Sequence, residues 1–285
     1  MVCKSITKPQ RISCYLSHFI FYIVMKFSEK VVWITGASSG IGRHLALAFA
    51  REGAMVAASA RRMDELEKVV AEIEGSGGKA AAFFCDIAKD ASIKACAEAV
   101  VEKWGRIDVA IANAGFGVVG KLESLEAVEW ERQLAVNVTG LALTAKYALP
   151  YLRKTAGRMV LVGSVSAWFA GPDVGAYSAS KAAVHSIGQT LMIELKGSGV
   201  SCTTIHPGFV ASDIARVDNE GVLHKDRVDL RPAKLMWPTE KAAKVILNAI
   251  YQRKGSFVFT GHGRIAVFIA KFFPGVARVI AAKGG

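Results

Sequence analysis

From Val31 onward, two hydrophobic rhythms alternate along the chain. Short, nearly continuous apolar runs have the length of strands. Between them, apolar positions return every three or four residues, as on one face of a helix. The runs VVWIT (31–35), MVAASA (55–60), AAFFC (81–85), IDVAIA (107–112), RMVLVG (158–163), VSCTTIH (200–206) and SFVFT (256–260) read as strands. The helical rhythm predicts helices over 41–52, 63–74, about 90–104, about 126–153, from near Tyr177 to 197, and 239–252. Pro150 falls inside the fourth of these and is expected to kink it near its end.

Apolar strands separated by helices imply a parallel sheet covered on both faces. Seven of them predict an α/β, Rossmann-type doubly wound fold in a single domain, 26–263, with ligands at the carboxyl ends of the strands. Within it, residues 208–238 hold an irregular stretch that reads as a substrate loop or an ordinary surface flap.

Both ends depart from the pattern. ISCYLSHFIFYIVM (12–25) is apolar but short for a membrane span, and Ser13, Ser17 and His18 interrupt it. Residues 1–25 therefore read as a mis-assigned start or disordered extension, with Met25 opening the domain, or as a weak anchor or a cleaved signal. At the other end, RIAVFIAKFFPGVARVIAAKGG (264–285) spaces Arg264, Lys271 and Arg278 by seven, with apolar residues between. As a helix it is basic and amphipathic, and Pro274 and Gly275 should split it in two. It suits a peripheral membrane interface, or packing against the body or a second subunit.

Composition adds limits. The net charge of +12 suggests an anionic partner, yet residues 1–30 and 264–285 each contribute +4 of it. That concentration at the ends weakens a nucleic-acid reading and leaves an anionic membrane as an equal candidate. Five scattered cysteines without a CxxC, and six histidines without HExxH, offer neither a disulfide framework nor a metal site. A reducing, cytoplasmic compartment is expected.

The chemistry begins where the first strand meets the first helix. TGASSGIG (35–42) puts Gly36, Gly40 and Gly42 at a tight turn, a close backbone approach and a helix contact. Ser38 and Ser39 add hydroxyls, and the helix offers free N–H groups to a phosphate. The second strand ends in SARR. The acid that would hold a ribose 2′-hydroxyl is missing, and Arg61 and Arg62 suit a 2′-phosphate instead. The expected cofactor is NADP(H). Farther along, Tyr177 and Lys181 share one helix face at i and i+4. A phenol ionises near 10, and a cation some 4–5 Å away supplies roughly 4 kcal/mol, enough to bring it toward neutrality.

Taken in order, these motifs resemble the classical short-chain dehydrogenase/reductase family from about Val31 to Ser212. To the cofactor turn, which includes Ile41, are added CDI with Asp86 and Ile87, ANAG with Asn113, Ala114 and Gly115, VNVTG with Asn137, VGSVSA with Ser164, YSASK, and HPGFVAS with Pro207, Gly208 and Val210. Ala112 replaces the family's first Asn, and Ser212 its more usual Thr. The resemblance implies Asn137, Ser164, Tyr177 and Lys181 as catalytic residues. It assigns Asp86 to the adenine, the PG motif to the nicotinamide side, and Lys181 to the nicotinamide ribose as well. Tyr177 would move a proton, Ser164 hold the reacting oxygen, and Asn137 organise a water relay to Lys181.

Hydride transfer between a carbonyl and an alcohol follows. The resemblance also implies a homodimer or homotetramer through the helices near 126–153 and 177–197. Phe116, Trp168, Phe169, Ala170 and Phe209 are expected to line an apolar substrate cleft for a lipid-, steroid- or ring-like molecule. The alternative is a sensor or scaffold that binds NADP(H) without turnover.

Overall fold

The computed structural model describes residues 25–283. The readings made for residues 1–24, as an extension, an anchor or a signal, lie outside the described residues. Seven parallel strands, β1 (Val31–Thr35), β2 (Met55–Ala60), β3 (Lys79–Phe84), β4 (Val109–Ala112), β5 (Arg158–Val162), β6 (Ser201–His206) and β7 (Ser256–Val258), form one sheet in the order β3-β2-β1-β4-β5-β6-β7. This is the expected doubly wound sheet. Its order reverses between β1 and β4, and that reversal opens a crevice at their carboxyl ends.

The side-chain period of two divides each strand between two cores. Val32 and Ile34 of β1 pack beneath α1 (Gly40–Arg51), α2 (Met63–Gly75) and α7 (Thr239–Tyr251). Val31 and Trp33 face α3 (Asp90–Trp104), α5 (Leu141–Thr155) and α6 (Gly175–Glu194). Burial on both faces explains why β1 reads as an unbroken apolar run.

The helix expected over 126–153 is interrupted. α4 (Ala127–Leu134) gives way to a π-helical turn over Ala135–Gly140 before α5 begins. The cause is local contact. Gly140 lies against Ile87, leaving no room for a Cβ, and Asn137 is drawn into the interior. Pro150 sits inside α5, which continues to Thr155, so the departure from α geometry comes well before the proline.

The C-terminal stretch is helical in two pieces, α8 (Gly261–Phe272) and α9 (Pro274–Lys283). Pro274 is the first residue of α9, where its missing N–H costs nothing.

Candidate active site

The strand ends surround a cleft of about 300 Å³. Its floor is the turn after β1. Gly36 has φ +67° and lies so close to Ala114 that a Cβ would sit 2.8 Å from the Ala114 Cα. Gly40 has φ +54°, and Gly42 packs directly on the Gly36 carbonyl. These three positions let the chain reverse tightly and bring the start of α1, with its free N–H groups, to the cleft.

Asn113 braces this turn from β4. Its Nδ2 donates to the carbonyls of Thr35 (2.9 Å) and Gly36 (3.2 Å), and its own N–H donates to Thr35 Oγ1 at 3.1 Å. Its amide is committed to the wall of the cleft.

At the end of β2, Arg62 Nη2 donates to both Ser38 Oγ and Ser39 Oγ, each at 3.1 Å. Arg61 reaches across to the Gly221 carbonyl at 3.3 Å. Both line the cleft with Ser38, Ser39, Ile41, Asp86 and Ile87. The Asp86 carboxylate accepts from Ala88 N–H and faces Lys89 Nζ at 3.7 Å, which holds the turn after β3.

The other end of the cleft gathers Gly115, Ser164, Tyr177, Lys181, Pro207, Gly208 and Val210. Ser164 lies just past β5 and caps a short turn, with its hydroxyl 3.1 Å from Ser166 N and 3.2 Å from Ser166 Oγ. Lys181 is 5% exposed, and its ammonium donates to the Val162 carbonyl at 2.9 Å. It lies 5.7 Å from the Tyr177 ring centre. Burial pulls Lys181 down to about 8, which leaves it mainly cationic at neutral pH.

Tyr177 differs from the sequence expectation. Desolvation pushes its hydroxyl above the usual phenol range, and only a hydrogen bond to Ser164 and the charge of Arg231 oppose the rise. Lys181 Nζ lies over the ring, and in this arrangement burial outweighs the help expected from the lysine.

Asn137 and Lys181 both approach Gly115, and the Asn137 side chain is committed to its neighbours. Its Oδ1 accepts from Phe116 N–H at 3.1 Å, and its Nδ2 donates to the Phe116 carbonyl (2.9 Å) and Ser180 Oγ (3.1 Å). The amide pairs the backbone that β4 leaves open, and Ser180 hands the connection on to the Tyr177 carbonyl at 2.7 Å.

Of the aromatic residues expected in the cleft, Phe116 lines it. Trp168 packs against His185 and His206, with ring centres 4.6 and 4.4 Å away, and Phe209 stacks on His262. Sequence reasoning missed Arg231 and Asn219. Arg231 lines the cleft, pairs with Asp229, and donates to the carbonyls of Val210 (3.2 Å) and Ser212 (2.8 Å). Asn219 ties the 208–238 segment to Val119 through both backbone groups. Neither carries a local signal, because each acts on residues distant in sequence.

Comparison with known proteins agrees with this geometry. The short chain dehydrogenase family profile matches residues 30–222. The 11-beta-hydroxysteroid dehydrogenase 1A of Arabidopsis thaliana is 34% identical over 243 residues, which is 80% of this chain and 68% of that protein. A short chain dehydrogenase/reductase from Burkholderia phymatum in complex with NAD superposes with a TM-score of 0.77 at 26% identity, covering 86% of this chain and 93% of its own. An alcohol dehydrogenase from Thermococcus sibiricus complexed with 5-hydroxy-NADP gives a TM-score of 0.71 at 28% identity, covering 81% and 96%.

The chain belongs to the short-chain dehydrogenase family, a group of oxidoreductases that use an NAD(P) nucleotide.

Proposed function

We propose that the protein is an NADP(H)-dependent oxidoreductase that interconverts a carbonyl and a secondary alcohol on an apolar substrate. The observation that carries the cofactor choice is Arg62. Its guanidinium rests on two serine hydroxyls at the phosphate turn, beside Arg61, and no acid ends β2 to hold a free 2′-hydroxyl. A 2′-phosphate between these groups would receive charge-assisted hydrogen bonds.

The tight glycine turn, the serines and the start of α1 would hold the pyrophosphate, and Asp86 and Ile87 the adenine side. Asn113, Ala114 and Gly115 form the adjoining wall, and Pro207, Gly208 and Val210 the nicotinamide side. When bound, the nucleotide supplies or accepts the hydride at the carbonyl carbon.

The protein's own groups handle the oxygen. Tyr177 gives its proton to the substrate oxygen in reduction and takes it back in oxidation. Ser164, at the same end of the cleft as Tyr177, holds the same oxygen. Lys181 supplies a buried positive charge that favours the phenolate as the proton leaves. Asn137 keeps the Phe116 backbone and Ser180 in place beneath them.

Apolar walls from Phe116, Val136, Ile214, Val217 and Leu223 support a ring-like or lipid-like substrate, and the steroid dehydrogenase relative points the same way. A homodimer or homotetramer through α4, α5 and α6 is supported by exposed Leu134 and Ile193, the latter 75% exposed. Buried free thiols at Cys85, Cys96 and Cys202 suit a reducing, cytoplasmic setting.

The test is consumption of NADPH and NADH against a panel of apolar ketones. Tyr177→Phe should lower turnover by roughly 10²–10⁴-fold while NADPH still binds. Arg62→Ala should weaken NADPH by about ten- to a hundredfold, as expected for lost hydrogen bonds to a charged group, and barely touch NADH. Turnover that survives Tyr177→Phe would reject the proton-transfer role. NADPH binding without turnover on any ketone would favour the sensor reading.

A further inference from the structure

The C-terminal helices present an apolar surface that the fold leaves open. In α8, Gly263 and Val267 turn inward and are buried, while Ile265, Phe268 and Phe272 lie on the opposite side, at i, i+3 and i+7. Phe272 is 66% exposed, and its ring lies 4.9 Å from that of Phe268. Phe273 continues the surface, and α9 extends it with exposed Val276, Val279 and Ile280, its Ala277 facing in. Scattered apolar residues on a protein surface are ordinary, but a continuous stretch over two consecutive helices marks a contact surface.

Charge identifies the contact. Residues 261–285 contain Arg264, Lys271, Arg278 and Lys283 and no acidic residue. Arg264 and Lys271 are exposed on one flank of the α8 apolar stripe. A two-fold contact with a second copy would set this basic row against itself. An anionic bilayer accepts the apolar face and attracts the basic flank together. Among the described residues no helix is long and apolar enough to cross a membrane, so the hairpin would lie in the interface rather than span it.

We propose that α8 and α9 dock the protein on an anionic lipid bilayer, with Ile265, Phe268, Phe272 and the apolar face of α9 inserted among the lipids. The same hairpin is fastened to the active site. His262, in the first turn of α8, accepts from Phe209 N–H at 2.9 Å, beside the PG motif. Lys271 lies 5.0 Å from the Trp168 ring centre, just after the Ser164 turn. Docking therefore places lipid on the far side of a helix that contacts the segments flanking Gly208 and Ser164. Supply of an apolar substrate from the membrane rests on the reductase reading, whereas the docking does not.

The experiment is sedimentation of the full chain with phosphatidylcholine vesicles, with and without phosphatidylglycerol, read without substrate. Binding that requires phosphatidylglycerol and weakens in salt is expected. Phe272→Ser with Phe273→Ser should abolish it. Arg264→Gln with Arg278→Gln should weaken it roughly thirtyfold, as expected for two basic charges near an anionic surface. Thermal melts and NADPH binding confirm that each variant is folded, and the charge pair carries the test if the serine pair is not. Absence of binding to phosphatidylglycerol vesicles, or binding that neither variant changes, would overturn the proposal. So would a parent oligomer that the serine pair dissociates in lipid-free solution, because a second copy would then cover this face.

Discussion

His206 is fully buried, and its Nδ1 lies 3.2 Å from the Ser164 carbonyl. It reads in the sequence as a residue beside the PG motif, and the structure makes it the brace behind a proposed catalytic serine. Desolvation, with His185, Lys181 and Lys271 nearby, pulls it down to about 3. The unfolded chain takes up a proton near pH 6.5, and the native state does so only near 3. Stability therefore falls as pH falls through that window, by about 1.4 kcal/mol per pH unit. Between pH 7 and 4.5 the parent should lose about 2–3 kcal/mol more than His206→Gln, measured by urea unfolding at the two pH values. Equal losses in both proteins would show that another group governs acid lability.

The elements were legible wherever one rhythm dominated. β1 and β2 match their predicted ranges, because strands buried on both faces are apolar at every position. The π-helical turn was not legible. VNVTG fits ordinary helical periodicity, and only the approach of Gly140 to Ile87 distinguishes it. A Cβ on Gly140 would sit 2.5 Å from Ile87 Cγ1 and closer still to the Ile87 carbonyl oxygen. Gly140→Ala should cost about 1–3 kcal/mol of stability, the usual range for overpacking, and should weaken the cofactor because Ile87 lines its cleft. Thermal melts and NADPH titration check both, and an unchanged melting temperature would mean that the turn relaxes without cost.

At the scale of the molecule, the segment after β6 arches over the cleft and is tied down on both sides. Asn219 bonds Val119 twice and Glu129 once, Arg132 donates to the Asn219 carbonyl, and Arg61 reaches Gly221. Asn219→Ala removes the side-chain ties and should loosen this cover, each lost bond being worth about 1 kcal/mol. Trypsin should then cut faster at Arg216, Lys225 or Arg227, with KM rising more than kcat falls. Unchanged proteolysis would assign the hold to Arg132 and Arg61, which grip the backbone carbonyls of Asn219 and Gly221.

The sequence by itself determined the layered fold, the tight glycine turn after β1 and the placing of Tyr177 and Lys181 on one helix face, because strand rhythm, glycine geometry and i, i+4 spacing are local properties of the chain. Only the tertiary structure decided that Asn137 braces Phe116, that Trp168 leaves the cleft for two histidines, that Arg231 enters the site and that Asn219 ties down the segment above it. Those outcomes depend on which polar groups are left unpaired once the elements pack, and they join residues far apart in the chain.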